Sequence, residues 1–309
     1  MKTREEKALE APGLALTTGK IRYRAARRRA ETRGRNSMRL SHRRAVLHGA
    51  FAFVFGLIAA ASLPSAGTAG TIDDIISAGK VTIAVDTTTP PYGMIDEQMQ
   101  PTGFDIELAQ LIGKAIGVPV EFVTVTSPGR IPALLTNRAD MVVSIFSITA
   151  ERALQIAFSI PYASQSSVVL APKSVNIKSA QDLVGLKVGV TRGTGEDGLL
   201  TAAAKDIPGI EILRFDDYAS ISQAMLSGQI DAMGGGDYGD IYLKKSAKGD
   251  DFELKYILKT FYFGIGVRKD SPELLQWLNT FIFTLRQDGT LNRLSQKYRK
   301  APLPPLPTF

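Results

Sequence analysis

Ala139-Asp140-Met141-Val142-Val143-Ser144-Ile145-Phe146-Ser147-Ile148-Thr149-Ala150-Glu151-Arg152 is the stretch whose reading organises the chain. Residues 139–143 look like a buried strand, and the segment that follows is polar. Ser144 and Ser147 offer hydroxyls there. Thr149 suits a helix N-cap, with Ala150, Glu151 and Arg152 as the first turn. An anion beside such a terminus gains from free backbone N–H groups and the helix dipole, and Arg152 can add a bidentate guanidinium–carboxylate pair. The same residues also fit a capped surface helix whose arginine pairs with Glu151 or with solvent.

The formal charge of +7 and pI near 9.5 suggest a nucleic-acid or anionic-membrane partner. The distribution of charge removes that suggestion. Residues 1–69 hold 14 of the 37 Lys and Arg and 4 of the 30 Asp and Glu, so residues 70–309 are left with a balance of −3. No nucleic-acid partner is expected.

The basic prefix reads as an export signal. Arg39, Arg43 and Arg44 precede an apolar run over 45–63, and small residues ending Gly67-Thr68-Ala69 offer a signal-peptidase site before Gly70. A membrane anchor is the alternative, since about 20 apolar residues span a bilayer. The Ala-rich composition, the interrupting His48 and the small-residue ending favour cleavage. Export by the Sec or the twin-arginine route is compatible with Ser41-His42-Arg43-Arg44. Residues 1–37 read as a disordered basic extension, and Met38 would start an ordinary signal peptide of 38–69. With no cysteine there is no disulfide, thiolate metal site or lipid-modifiable cysteine, so a soluble periplasmic protein is expected.

Beyond residue 70, strands and helices alternate. Strands are expected at 80–85, 121–125, 139–143, 166–171, 186–190, 210–215, 229–233 and 262–267. Helices are expected at 104–117, 130–137, from the opening turn Gly193–Glu196 to about Lys205, at 220–227 and within 271–298. Repeated strand–helix alternation predicts an α/β protein with mostly parallel sheets. Two such runs joined by two extended segments predict two lobes with a cleft between them. Lobe 1 is expected over 70–167 and 265–300, lobe 2 over 168–264, and a tail over 301–309. Ligands of open α/β sheets sit beyond the carboxyl ends of strands. Those ends offer Asp86, Thr191, Thr194 and Gly195 besides the segment above. The Asp86–Met94 loop is either a surface loop with a packed tyrosine or a cleft wall presenting Tyr92. Arg130, in Ser127-Pro128-Gly129-Arg130, is either a second cleft cation or a support for its helix.

The ordered combination of Asp105, Asp140, Ser147-Ile148-Thr149 with Arg152, Phe158-Ser159 with Pro161-Tyr162, Gly193-Thr194-Gly195 and Gly264 to Lys269 resembles family 3 of the bacterial solute-binding proteins. The resemblance covers about 71–300 and implies a two-lobed, periplasmic-binding-protein-like type II fold with a two-stranded hinge. It implies that Arg152, helped by Ser147 and Thr149 and by Thr194 of the opposite lobe, holds a ligand carboxylate. The ammonium is expected on a carboxylate just past the strand at 229–233. The usual place is Gly236 here, and Asp237 follows it. Arg130, in a context similar to that of acidic-amino-acid binders, points to an acidic ligand.

The resemblance therefore implies binding rather than catalysis. The expected protein is a monomeric carrier of an amino acid or related small carboxylate, delivering it to ABC permease subunits in the inner membrane and needing no cofactor or metal. A dehydratase-like enzyme of the same fold and a ligand-presenting sensor are the alternatives. Residues 70–309 contain neither Cys nor His, which removes the commonest nucleophile–base pairs and most metal sites.

Overall fold

Two five-stranded sheets, each covered by helices, organise the chain in the computed structural model. It describes residues 71–237, 243, 246 and 249–307. The extension and signal peptide expected over 1–69 lie outside them, as do residues 238–240 and the last two of the tail.

The chain enters through α1 (Ile72–Ala78), started by a capping box between Thr71 and Asp74, and runs into β1 (Val81–Val85). A hairpin of β2 (Met94–Ile95) and β3 (Pro101–Thr102) precedes α2 (Phe104–Ile116) and β4 (Val120–Thr124). Next come α3 (Arg130–Leu135), β5 (Met141–Val142), α4 (Ala150–Ala153), β6 (Ala157–Phe158) and the long β7 (Ala163–Pro172). Then follow β8 (Lys187–Thr191), α5 (Gly195–Asp206), β9 (Glu211–Phe215), α6 (Tyr218–Leu226) and β10 (Ala232–Gly236). β11 (Phe252–Phe263) returns to β12 (Gly266–Val267), and α7 (Pro272–Gln287) and α8 (Thr290–Arg299) close the fold.

The first sheet has the order β4-β1-β5-β12-β6, with β1 parallel to β4 and β5, and β12 antiparallel to both its neighbours. The second has the order β11-β7-β10-β8-β9, parallel at β10-β8-β9 and antiparallel where β7 and β11 join it. Both sheets are therefore parallel α/β sheets with antiparallel strands at the crossings. Around the first sheet, Ile83, Val85, Phe104, Leu108 and Ile112 pack against Leu278 and Ile282 of α7. Val188, Val190, Leu200 and Ala232 form one of two clusters around the second. The two lobes thus own separate cores, and no helix among the described residues is long and apolar enough to cross a membrane.

β11 is the element that sequence periodicity misses. Only its end was expected as strand, because Phe252–Phe263 lacks a clean alternation and carries two register shifts, at Leu254/Tyr256 and Ile257/Lys259. β7 pairs with it from Ala163 to Pro172, so the lobe boundary expected at 167/168 falls inside one continuous strand. The expected tail is docked: Arg286 donates to Leu306 O at 2.8 Å, and Leu303 N donates to Asn292 Oδ1 at 3.0 Å.

Candidate functional site

The carboxyl ends of β1, β5, β8 and β10 converge on a cavity of about 30 Å³. Lobe 1 lines it with Thr89, Pro90, Ser127 and Ile145, and lobe 2 with Thr191, Thr194, Glu196, Tyr218 and the run Gly234–Gly236. Gln165, at the start of β7, completes the wall.

On the lobe 1 side, the segment after β5 is shaped by a buried carboxyl. Asp105 Oδ2 accepts from Ile145 N at 2.6 Å, and Oδ1 accepts from the Tyr162 hydroxyl at 2.9 Å. Ile145 has φ +35°, a backbone state that L residues rarely adopt, so the Asp105 bond holds a strained turn in place. Burial pushes the Asp105 carboxyl up to about 7, against the two hydrogen bonds and the nearby Arg130 charge, which pull it down. The same burial raises the Tyr162 hydroxyl.

Two guanidiniums flank Phe146, with Cζ of Arg130 5.5 Å and Cζ of Arg152 5.2 Å from the ring centroid. Arg130 is buried, bonds Ser127 Oγ and reaches Ile145 O at 3.5 Å, while its Nε has no partner. Arg152 donates to Ser147 O at 2.7 Å and, across the lobes, to Gly193 O at 2.8 Å. Among the described residues neither makes an ion pair with a carboxylate. Desolvation, and then the charge of Arg130, lower the Arg152 guanidinium to about 10; burial also lowers that of Arg130. Asp86, Asp105 and Glu196 act on the Arg130 charge, and Glu196 and Glu151 on that of Arg152, from beyond ion-pair distance, which leaves both guanidiniums able to take a direct anionic partner.

The remaining sequence-selected residues divide. Thr149 caps α4, accepting from Arg152 N at 3.2 Å, but α4 is one turn long, so its dipole adds little. Ser144 and Thr191 are buried with hydroxyls that have no partner; Thr191 lines the cavity. Thr194 caps α5 and donates to Thr191 O at 2.8 Å. Gly195 is required for packing, since a Cβ there would sit 2.4 Å from the Phe261 ring. Of the residues selected from the sequence, only Thr191 and Thr194 line the cavity itself, and three point elsewhere. Tyr92 is in the lobe 1 core, with its ring 5.5 Å from Phe104 and 5.6 Å from Phe263. Asp86 is buried and turns inward to accept from Thr88 N and Thr88 Oγ1, both at 2.7 Å. Asp237 is exposed and accepts from Ser166 N at 3.2 Å.

Sequence reasoning missed Glu196 and Gln165. Glu196 is buried in the first turn of α5, and its Oε1 accepts from Ser167 Oγ at 2.6 Å and Gln165 Nε2 at 3.5 Å. The capped turn Thr194-Gly195-Glu196 could have indicated Glu196; nothing local indicates Gln165 inside an apolar strand.

Residues 81–301 match the bacterial extracellular solute-binding proteins, family 3. The chain belongs to that family. Over 264 residues it is 29% identical to the L-cystine-binding protein TcyJ of Escherichia coli, covering 84% of this chain and 97% of that protein. It is 31% identical over 237 residues to the histidine-binding periplasmic protein of Salmonella typhimurium, covering 71% and 87%. Among solved structures, the ancestral amino acid-binding protein AncCDT-1, a precursor of cyclohexadienyl dehydratase, has a TM-score of 0.67 and 34% identity, covering 74% of this chain and 98% of that one. The two-lobed type II fold expected from the sequence is the fold of these relatives.

Proposed function

We propose that this family 3 protein is the periplasmic binding component of an ABC importer, taking an amino acid or related small carboxylate between its lobes. The observation that carries the reading is the pair of desolvated guanidiniums, Arg130 and Arg152, which flank Phe146 next to Gly193 of lobe 2 and make no direct ion pair with a carboxylate. A ligand carboxylate supplies the missing charge. Arg152 already reaches Gly193 O of lobe 2, so an anion bound at its guanidinium sits where the lobes meet. Closure is favoured because such a ligand touches both lobes and so binds the closed form better than the open one. The closed form is what a permease in the inner membrane would read.

The histidine- and cystine-binding relatives support an amino acid as ligand. Two arginines at the cleft favour an acidic side chain among them. Thermal-shift screening of the purified protein against L-amino acids, dicarboxylates and opines tests the reading, because a ligand of the native state raises its apparent stability. A rise with one chemical group of these supports it; no rise with any overturns it. The likeness to a dehydratase precursor supplies the rival reading, and turnover of prephenate-like acids at catalytic protein concentration would establish it instead.

A further inference from the structure

The floor of the cavity on the lobe 2 side sets two acceptors, Glu196 and Gln165, beside the hydroxyls of Thr191 and Tyr218. Glu196 and Gln165 are both more than nine-tenths buried. A carboxylate oxygen cannot donate, so the amide nitrogen of Gln165 must face Glu196 and the amide oxygen must point away. That oxygen, Gln165 Oε1, is buried without a hydrogen-bond partner. Both bonds accepted by Glu196 land on Oε1, which leaves its second oxygen for another donor. The unpartnered Thr191 hydroxyl can satisfy one acceptor at most.

The glycine run is built around this pair. A Cβ at Gly236 would lie 2.6 Å from Gln165 Nε2, and one at Gly234 would lie 3.1 Å from Glu196 Cβ and 2.7 Å from Leu200 Cδ1. A carboxylate-bearing side chain at 236 would therefore displace Gln165. Asp237, the carboxylate expected from the sequence, is exposed and bonded to Ser166 N.

From these contacts we infer that Glu196 and Gln165 form the amine-recognising subsite, taking the ammonium of a zwitterionic ligand over the Gly234–Gly236 floor. An ammonium brings three donors and one positive charge, which matches a carboxylate beside an unsatisfied amide oxygen. Arg130 and Arg152 stack on Phe146 outside the cavity lining, and the Glu196 charge acts on both, so a zwitterion between them meets both signs of charge. Ser167 and Gln165 both belong to β7, so the ammonium is held against a strand that also runs toward lobe 1.

The inference rests on the proposed solute-binding function, and the test separates the two. The L-amino acid that binds the wild-type protein best in calorimetry is compared with its own des-amino carboxylate. Glu196→Gln is expected to weaken the amino acid by about 30-fold or more while changing the des-amino compound less than about threefold. Asp237→Asn is expected to leave both affinities unchanged. A Glu196→Gln protein that keeps the wild-type preference, or an Asp237→Asn protein that loses it, overturns the inference. If Glu196→Gln does not fold, Gln165→Leu is used, and an unchanged preference there overturns it equally. Binding only of carboxylates that lack an amine overturns the inference and leaves the function standing, whereas no binding by any L-amino acid, dicarboxylate or opine overturns the underlying function.

Discussion

The two walls of the cleft are built in opposite ways. On lobe 1, the cation, its cap and its supporting loop come from one continuous stretch, Ser144 to Arg152, with Arg130 added from α3. On lobe 2, the acceptors come from β7 and α5, some 30 residues apart, and meet over glycines of β10. A local arrangement survives in the sequence as a pattern. A long-range one survives only as a set of individually unremarkable residues. The candidate segment Ser144 to Arg152 is accordingly legible as a sequence pattern, whereas Gln165 and Glu196 are not.

The largest effect is expected at the centre of the lobe 1 wall. Arg152→Ala should weaken ligand binding by about 2–5 kcal/mol, on the order of 30-fold to several thousand-fold, if the guanidinium forms a desolvated charge pair. Calorimetry against the screened ligand reads this, and equal affinity would break the comparison by removing the cation from the site.

A second test concerns the buried support beneath that wall. The Asp105 carboxyl is raised to about 7 by burial, so between its ordinary value and about 7 the unfolded chain has released a proton that the folded chain keeps. Stability therefore falls as pH rises through this window, by up to about 1.4 kcal/mol per pH unit. Asp86, Arg130 and Tyr162 are the other titratable groups that face Asp105. In Asp105→Asn the amide oxygen still accepts from Ile145 N and the amide nitrogen can donate to the Tyr162 oxygen. Denaturant midpoints measured from pH 5 to 8 should lose this slope in the variant. A slope equal to that of the wild type would assign it to another group.

The lobe 2 wall responds to packing. Gly236→Asp forces Gln165 aside and should cost about 1–3 kcal/mol of stability, the usual range for overpacking, together with affinity for the amino acid. Unchanged melting and binding would mean that the glycine floor is not constrained as described. The smallest effect is at the helix cap. Thr194→Ala removes the hydroxyl that accepts from Asp197 N at 3.3 Å and should cost about 1 kcal/mol, or roughly 2–4 °C in Tm.

Other parts of the chain follow the same division. α2, β1 and β8 are legible because buried apolar residues recur at helix or strand spacing, and α5 because Thr194 caps its start. β11 was not, because irregular register broke its alternation. Tyr92 drew attention as an aromatic in a stiff loop, yet local sequence cannot say which way a ring turns, and here it turns into the Phe104–Phe263 core. Asp237 follows a strand end, yet which way its side chain turns is not written in local sequence, and here it is exposed and accepts from Ser166 N.

The central claim is that one zwitterion is held from both walls. Thermal-shift titration of the wild-type protein with the best L-amino acid, its des-amino carboxylate and its decarboxylated amine tests this directly. The account predicts a strong stabilisation by the amino acid and a marked loss when either charged group is removed. A decarboxylated amine that stabilises the protein as well as the amino acid would contradict it.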